Sequence, residues 1–130
     1  MGLAYDKTKK YLDKIKAENG KINAILHVNE KALDEAKFID EKVSKTGKKG
    51  RLYGQVIAVK SNINVNGLIA NCASKVLENY VSTYDATVIS KIKAEDGVII
   101  GMCNMDEFAS GGSGEHSAFG CAVNPVCPER

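Results

Sequence analysis

The stretch Gln55-Val56-Ile57-Ala58-Val59 is a short apolar run, rich in β-branched residues and bounded by turn-forming residues. Such a run is typical of a strand that is buried inside a sheet. A second run of this kind, Val98-Ile99-Ile100, follows later in the chain. Between the two runs, Val88, Ile89 and Ile92 predict a helix whose apolar side faces inward. Strand, helix and strand in this order predict a parallel crossover and therefore an α/β fold.

Turn and capping residues bound the helix of this unit. Asp85 precedes the helix and is predicted as its N-cap, and Gly97 is predicted to end it. Residues 109–130 are rich in Gly and Ser and show no periodicity, so they are predicted as loop. Two strands are too few for a parallel sheet, which normally has several strands and two covered faces. We therefore expect the chain to be one edge of a larger α/β domain.

The first 50 residues have a different character, because their apolar residues follow a helical spacing. The spacing predicts an amphipathic helix over residues 5–18, which ends at Asn19-Gly20. Residues 22–28 alternate loosely and are predicted as a short extended segment. A second helix is predicted over residues 32–43, with Asn29 as its cap.

Composition excludes several classes of protein. The 130 residues are 44% hydrophobic and 26% charged, which suits a chain with a packed core and argues against disorder. A net charge of +2 is too small to indicate nucleic-acid or membrane binding by itself. The chain contains no apolar stretch of the ~20 residues that span a bilayer and does not begin like a signal peptide, so a cytoplasmic location without a membrane partner is expected. The four cysteines and two histidines lack the spacing of metal ligands, and the cysteines are expected to be reduced.

Lys60 is the first candidate for chemistry, because it directly follows the first apolar run. Open α/β sheets place their active sites at the carboxyl ends of strands. A lysine desolvated there loses its charge more easily and then serves as a general base. The alternative is a surface lysine that lies just past a strand.

The second candidate is the run Ser110-Gly111-Gly112-Ser113-Gly114. It is not a nucleophile elbow, since Glu115 occupies the last glycine position of that motif, and no helix pattern follows it as a phosphate loop requires. Loop residues that shape a substrate pocket are the remaining functional interpretation. Asp106, which precedes this run, is predicted to cap a helical turn.

Several short stretches occur in a fixed order along nearly the whole chain and together resemble the amidase signature family. The resemblance is closest to the A subunits of glutamyl-tRNA(Gln)/aspartyl-tRNA(Asn) amidotransferases. The stretches that carry it are Ile22-Asn23-Ala24, Asn29–Lys37, Ala58–Ile63, Cys72–Lys75, Leu77–Asn79, Tyr84–Val88, Asn104–Ala109, Glu115–Gly120 and Asn124-Pro125.

The resemblance implies the amino-terminal portion of the amidase signature fold, a mixed β-sheet covered by helices, incomplete in this chain. Residues 1–50 are then a helical segment, and residues 51–130 are the start of the amidase α/β core. The family uses a Ser-Ser-Lys triad, and Lys60 aligns with its catalytic lysine. Both serines belong to a Gly/Ser-rich signature that begins beyond the position of Arg130, so the chain alone is expected to be inactive. Ser110 and Gly111 are carried over as substrate-binding candidates.

The resemblance also implies a reaction and its partners. Such A subunits hydrolyse glutamine, and the released ammonia converts Glu-tRNA(Gln) or Asp-tRNA(Asn) to Gln-tRNA or Asn-tRNA. Subunits B and C complete the enzyme, and the aminoacyl-tRNA, ATP and magnesium belong to one of these partners, so no cofactor or metal is expected in this chain. Ser61 departs from the family pattern, in which an aspartate commonly follows the lysine.

Two other functions stay open at this point. The chain is alternatively part of another amidase-family hydrolase, which releases ammonia to water without a tRNA partner. It is alternatively a short, non-catalytic binding module. The choice between Glu-tRNA and Asp-tRNA is also open.

Overall fold

A three-stranded sheet forms the centre of the chain in a computed structural model, which describes residues 2–128. Its strands are β1 (Ile25–Val28), β2 (Val56–Lys60) and β3 (Val98–Cys103). β3 lies in the middle, parallel to β2 and antiparallel to β1. The parallel pair confirms the predicted strand–helix–strand unit. β1 makes the sheet mixed, because it lies before residue 50 in the chain and pairs antiparallel with β3.

Three α-helices accompany the sheet within residues 2–128. They are α1 (Leu3–Ile22), α2 (Ala32–Thr46) and α3 (Thr87–Ala94), and two short 3₁₀ turns lie at Lys75–Leu77 and Glu107–Ala109. The α/β fold class is thus confirmed. Among residues 2–128, no helix has both the length and the apolar character that crossing a bilayer requires.

The two helices α1 and α2 pack together on one face of the sheet. Ala4 of α1 and Ala32 and Ala36 of α2 are fully buried with Val98 of β3. Small residues at these positions let the two helices and the strand approach closely. Asp40 of α2 reinforces the junction, because its carboxylate accepts hydrogen bonds from two backbone N–H groups at the start of α1 and from the hydroxyl of Tyr53.

The opposite face of the sheet carries the main apolar core. Ile99 and Met102 of β3 pack there against Val59 of β2 and Ile89 of α3, all nearly inaccessible to solvent. Since neighbouring strand residues point to opposite faces, Val98 and Ile99 serve the two different cores. The prediction for α3 was wrong at Val88, which is 49% exposed and lies on the outer side of the helix.

Strands β1 and β3 approach each other closely at Gly101. A side-chain carbon at this position would lie 2.5 Å from the carbonyl oxygen of His27 in β1, which only glycine avoids. An irregularity in the ladder also inserts one extra residue into β3 before Gly101, so that Ala58 pairs with Gly101 and Lys60 with Cys103. The register at the end of β2 therefore places Lys60 directly beside Cys103.

The predicted end of the first helix at Asn19-Gly20 was wrong, because α1 continues to Ile22 and closes at Asn23 in the left-handed conformation (φ 53°). The Asn19 side chain instead holds the chain that follows the helix. Its oxygen accepts the N–H groups of Ala24 and Ile25, and its amide donates to the carbonyl of Ile25.

Two predicted helix caps were also wrong. Lys31, not Asn29, occupies the N-cap position of α2, and Ala86, not Asp85, occupies that of α3. Asn29 is buried, donates to the carbonyl of Ile99 and accepts the N–H of Lys31. Asp85 accepts the N–H of Asn66 and pairs with Lys93. Both side chains thus form long-range contacts that the local sequence does not reveal.

Candidate functional site

Lys60 is the last residue of β2, at the carboxyl end of the strand as predicted. Its side chain is exposed, whereas the neighbouring Val59 and Ser61 are buried on the opposite face. The position suits a reactive group, since active sites of α/β sheets lie at the carboxyl ends of their strands. Within residues 2–128, however, the side chain is open to solvent.

Ser61 fixes the chain directly after Lys60. Its N–H donates to the carbonyl of Cys103 at 3.2 Å, and its own carbonyl accepts the N–H of Cys72 at 3.0 Å. The residue is fully buried, and its hydroxyl has no hydrogen-bond partner among the described residues. The backbone beside Lys60 is therefore tied both to β3 and to the loop that contains Cys72.

That loop contains a turn of unusual backbone geometry, the left-handed turn, which we define as Asn71–Ser74. Cys72 (φ 52°) and Ala73 (φ 53°) are two consecutive non-glycine residues in the left-handed region. Each such residue costs about 1–3 kcal/mol, and such strain concentrates at functional sites. The buried Asn71 side chain supports the turn, because its oxygen accepts the N–H of Ala73 at 2.9 Å.

A second strained segment packs against the left-handed turn. Phe108 (φ 50°) and Ala109 (φ 59°) also adopt left-handed conformations, and the N–H of Phe108 donates to the carbonyl of Cys72 at 3.0 Å. The hydroxyl of Ser74 donates to the carboxylate of Glu107 at 2.5 Å. Four of the strained residues in the described chain thus lie in two segments that bind each other.

Asp106 organises the loop that follows. It precedes the 3₁₀ turn as predicted, but its carboxylate does not cap that turn. It accepts instead the N–H of Gly114 at 3.0 Å and that of His116 at 2.8 Å. These backbone hydrogen bonds lower the pKa of Asp106 below 3.8. The buried carboxylate therefore acts as the internal support of the Gly/Ser-rich loop.

Two asparagines anchor the end of this loop to the start of the sheet. The Asn23 amide donates to the carbonyls of Phe119, Gly120 and Cys121 at 3.0–3.2 Å. The amide of Asn104 donates to the carbonyls of Asn23 and Gly120, both at 2.9 Å. The α1–β1 junction and the loop after β3 are therefore joined into one unit.

Ser110 and Gly111 lie on the exposed outer side of the Gly/Ser-rich loop. A side chain at Gly111 would contact the Asp106 carboxylate at 2.6 Å, so glycine is required for the tight path of the loop. Within the described residues, no hydrogen bond joins either residue to Lys60. The assignment of Ser110 and Gly111 to substrate binding stays a prediction, as does the catalytic role of Lys60.

The remaining reactive side chains do not form a metal centre. Within residues 2–128, no three His, Cys, Asp or Glu side chains are grouped closely enough to hold a metal ion. All four cysteines are free thiols. Burial raises the pKa of both Cys72 and Cys103 above 9.0, so neither thiol has the thiolate character of a nucleophile.

Sequence reasoning missed His27, Asn71, Asn23 and Asn104 as organisers of this region. Asn23 and Asn104 lie in stretches that carry the family resemblance, but no chemical pattern in the sequence marks the role of any of the four residues. Their contacts join segments that are far apart in sequence. The runs Asn71-Cys72 and Asn104-Met105 contain ordinary turn-forming asparagines, so only the folded structure shows what they bind.

Known proteins resemble this chain in both sequence and structure. A family model described as Amidase matches residues 6–130. The A subunit of the glutamyl-tRNA(Gln) amidotransferase of Methanocaldococcus jannaschii is 52% identical over 126 residues, which cover 96% of this chain and 29% of that protein. The protein of the same name from Clostridium novyi is 48% identical over 123 residues, which cover 94% of this chain and 25% of that protein. The chain thus spans less than a third of the length of these relatives.

Solved structures also match this chain over nearly its whole length. The A subunit of the glutamyl-tRNA(Gln) amidotransferase of Thermotoga maritima matches with a TM-score of 0.78 and 34% identity, over 98% of this chain and 25% of that one. A structure from work on the evolutionary origins of an s-triazine catabolic enzyme matches with a TM-score of 0.93 and 31% identity, over 99% of this chain and 29% of that one.

Proposed function

The chain belongs to the amidase family, and from that premise we propose that Lys60 is the general base of an amide-hydrolysing site. The proposal rests on its position at the carboxyl end of β2, beside the strained turn and the loops that follow β3. A neutral lysine amine takes a proton from a bridging serine, which in turn takes one from a second serine. The activated oxygen attacks a carboxamide, the proton held by the lysine returns through the bridging serine to the leaving nitrogen, and ammonia departs. Water then hydrolyses the acyl-enzyme.

The exposure of Lys60 sets a condition on this mechanism. A solvated ammonium stays protonated at neutral pH, so the amine has to be covered before it acts as a base. The resemblance implies that both serines of the triad lie beyond residue 130, and the relatives are more than three times as long as this chain. The proposal therefore requires that further protein cover Lys60 and supply both hydroxyls, and the 130-residue chain alone is expected not to hydrolyse glutamine.

We propose further that the parent enzyme is the glutamine-hydrolysing component of a tRNA-dependent amidotransferase. The names of the relatives that share about half of their matched residues with this chain support the assignment. The released ammonia then converts Glu-tRNA(Gln) or Asp-tRNA(Asn), which is bound together with ATP and magnesium on a partner protein. Subunits B and C are the proposed partners.

A second candidate is an amidase that releases ammonia to water. It stays open because the family model that matches residues 6–130 is described only as Amidase, which does not specify a tRNA-dependent enzyme. The two candidates differ in their dependence on partners. Glutamine hydrolysis by the parent enzyme is measured with and without subunits B and C. A strong rise when they are added supports the amidotransferase, and an unchanged rate supports the second candidate.

The role of Lys60 is tested in a graft, in which residues 6–130 replace the corresponding segment of the Methanocaldococcus jannaschii protein. Glutamine hydrolysis by the graft is measured with subunits B and C present. We expect Lys60→Ala to lower turnover by about 10²–10⁴-fold, the usual range for a general base. Lys91→Ala, which removes an exposed lysine of α3, is the control and should leave turnover unchanged. Near-normal activity of the Lys60→Ala graft would remove Lys60 from the mechanism.

A further inference from the structure

A histidine and an asparagine join the edge strand β1 to the left-handed turn. His27 Nε2 lies 3.1 Å from the amide nitrogen of Asn71. Asn71 is fully buried, and His27 is partly buried. The two residues are 44 positions apart in sequence, so the contact joins two separate segments of the chain.

The geometry fixes the direction of this hydrogen bond. The N–H of Ala73 donates to one end of the Asn71 side chain, which must therefore be its oxygen. The end that faces the imidazole is then the NH₂ group, which can only donate. His27 Nε2 consequently has to accept, so the ring is neutral and carries its proton on Nδ1.

We propose that His27 and Asn71 are positioning residues, in which a neutral imidazole orients the Asn71 amide and the amide holds the left-handed turn. The turn then holds its neighbours, because Cys72 accepts a hydrogen bond from Phe108 and donates one to Ser61, the residue after Lys60. The N–H of Ala118 also donates to the carbonyl of Ala73. Through these hydrogen bonds, the orientation of the Asn71 amide influences the backbone at Ser61, Phe108 and Ala118.

Protonation of the ring would reverse the contact. With a proton on Nε2, the imidazole and the Asn71 NH₂ group are both hydrogen-bond donors and cannot bind each other. The buried NH₂ group then has no acceptor at His27. The charged side chains that line the cleft beside His27 are Glu30, Lys31, Glu35 and Lys93, two of each sign. They supply no net charge to stabilise an imidazolium there.

The sign of the pH dependence follows from burial. Desolvation lowers the pKa of His27 below 6.5, so the unfolded chain binds the proton at higher pH than the folded chain. The contribution of the pair is complete above pH 6.5 and is lost as pH falls from there through the folded-state pKa. The turn is therefore expected to loosen on the acid side of neutrality.

The tautomer of His27 is the direct test and needs only the unmodified protein. Long-range ¹H–¹⁵N spectra at a pH above 7 distinguish a protonated Nδ1 from a protonated Nε2. We expect protonated Nδ1 and bare Nε2 at His27, and the exposed His116 serves as the internal control. A proton found on Nε2 of His27 would overturn the proposal. On acidification, the amide signals of Ser61, Cys72 and Ala73 should shift together with His27.

Asn71→Asp inverts the pairing and supplies the second test. A carboxylate facing the imidazole favours its protonated form, so His27 should titrate at higher pH than in the unmodified protein and carry a proton on Nε2. An unchanged titration would show that the two side chains do not interact. If this variant does not fold, the tautomer of the unmodified protein still decides the question.

Only the link between the His27–Asn71 pair and catalysis rests on the proposed function. The graft tests this link separately from the role of Lys60. His27→Gln should lower turnover without raising the Michaelis constant and should remove a step from the acid side of the pH–rate profile. If the acid side of the pH–rate profile is the same in the His27→Gln graft, His27 has only a structural role. If Lys60→Ala leaves the graft active while the tautomer is as expected, the proposed base fails and the positioning pair stands.

Discussion

Among single residues, Ser61 has the least satisfied surroundings in the described chain. It is fully buried, and its hydroxyl neither donates nor accepts a hydrogen bond within residues 2–128. An unpaired buried hydroxyl loses its bonds to water without replacement, which costs about 1–3 kcal/mol.

We expect Ser61→Ala to leave the free energy of unfolding unchanged or to raise it by about 1 kcal/mol, because it removes the unpaired hydroxyl. Ser82→Ala is the matched control. Ser82 is equally buried, but its hydroxyl donates to the carbonyl of Tyr84 at 2.8 Å, so its loss should cost about 1 kcal/mol. Denaturant titration of both variants measures the difference. A loss of stability in Ser61→Ala as large as that in Ser82→Ala would contradict the expectation.

Part of the candidate site around Lys60 could be predicted from the sequence. The position of Lys60 at a strand end was predictable, since an apolar run before a lysine defines it locally. Asn29, Asp85 and Asp106 all lie close to helix starts, yet each uses its side chain for distant partners. A local pattern identifies a possible cap, but it carries no information about competing partners brought in by the fold.

At the level of elements, Asp96 joins α2 to the turn between α3 and β3. Its carboxylate accepts hydrogen bonds from Lys42 of α2 and from the N–H of Gly50 at 2.7 Å. Burial opposes ionisation of the carboxyl, but these hydrogen bonds outweigh it and lower the pKa of Asp96 below 3.8. Asp96 also has a left-handed backbone (φ 64°), which Asp and Asn tolerate better than most residues.

Asp96→Asn tests this junction without disturbing its backbone. We expect it to lower the free energy of unfolding by about 1.5–3 kcal/mol, the range for hydrogen bonds to a charged group. The stabilising effect of the carboxylate should be present above pH 3.8 and fall away as pH drops through its lower folded-state pKa.

The control for Asp96→Asn is Asp13→Asn, which breaks an exposed pair with Lys9 within α1. Solvent screens exposed pairs of this kind, so they contribute little to stability. Thermal unfolding of the two variants at neutral pH and at about pH 3, below the ordinary carboxyl range, measures both effects. Equal losses in the two variants at neutral pH would show that Asp96 does not support the junction.

The elements were predictable to the extent that their signals are local. The parallel pair β2–β3 and the existence of all three helices follow from periodicity. The antiparallel pairing of β1 with β3 does not, because it brings together residues 25–28 and 98–103. The irregularities that set the register around Gly101 depend on how closely the backbones approach, which a sequence pattern does not encode.

At the scale of the whole molecule, five of the large apolar side chains that are exposed in the described residues lie between residues 76 and 88. Val76 is 83% exposed, Tyr84 57%, Val88 49% and Val81 48%. β2 also forms one edge of the sheet and β1 the other, so each leaves one row of backbone groups outside the ladder. Exposed apolar groups and open strand edges both favour association with other chains.

We expect the 130-residue chain to self-associate in solution. Size-exclusion chromatography coupled to light scattering should give an apparent mass that rises with protein concentration. Replacing Val76 and Val88 by lysine should reduce the association, because charge at exposed apolar positions disfavours contacts between chains. Leu3→Lys, at an exposed position on α1, is the control and should have little effect. A single monomeric species at all concentrations would contradict this expectation.

The central place of β3 also determines when this polypeptide can fold during synthesis. β1 and β2 both bond to β3 and not to each other, although both are made before it. Until residues 98–103 have left the ribosome, the two earlier strands have no neighbour in the sheet, and the apolar residues of β2 stay uncovered. Helices α1 and α2 can pair early, but the rest of the core must form in one late step.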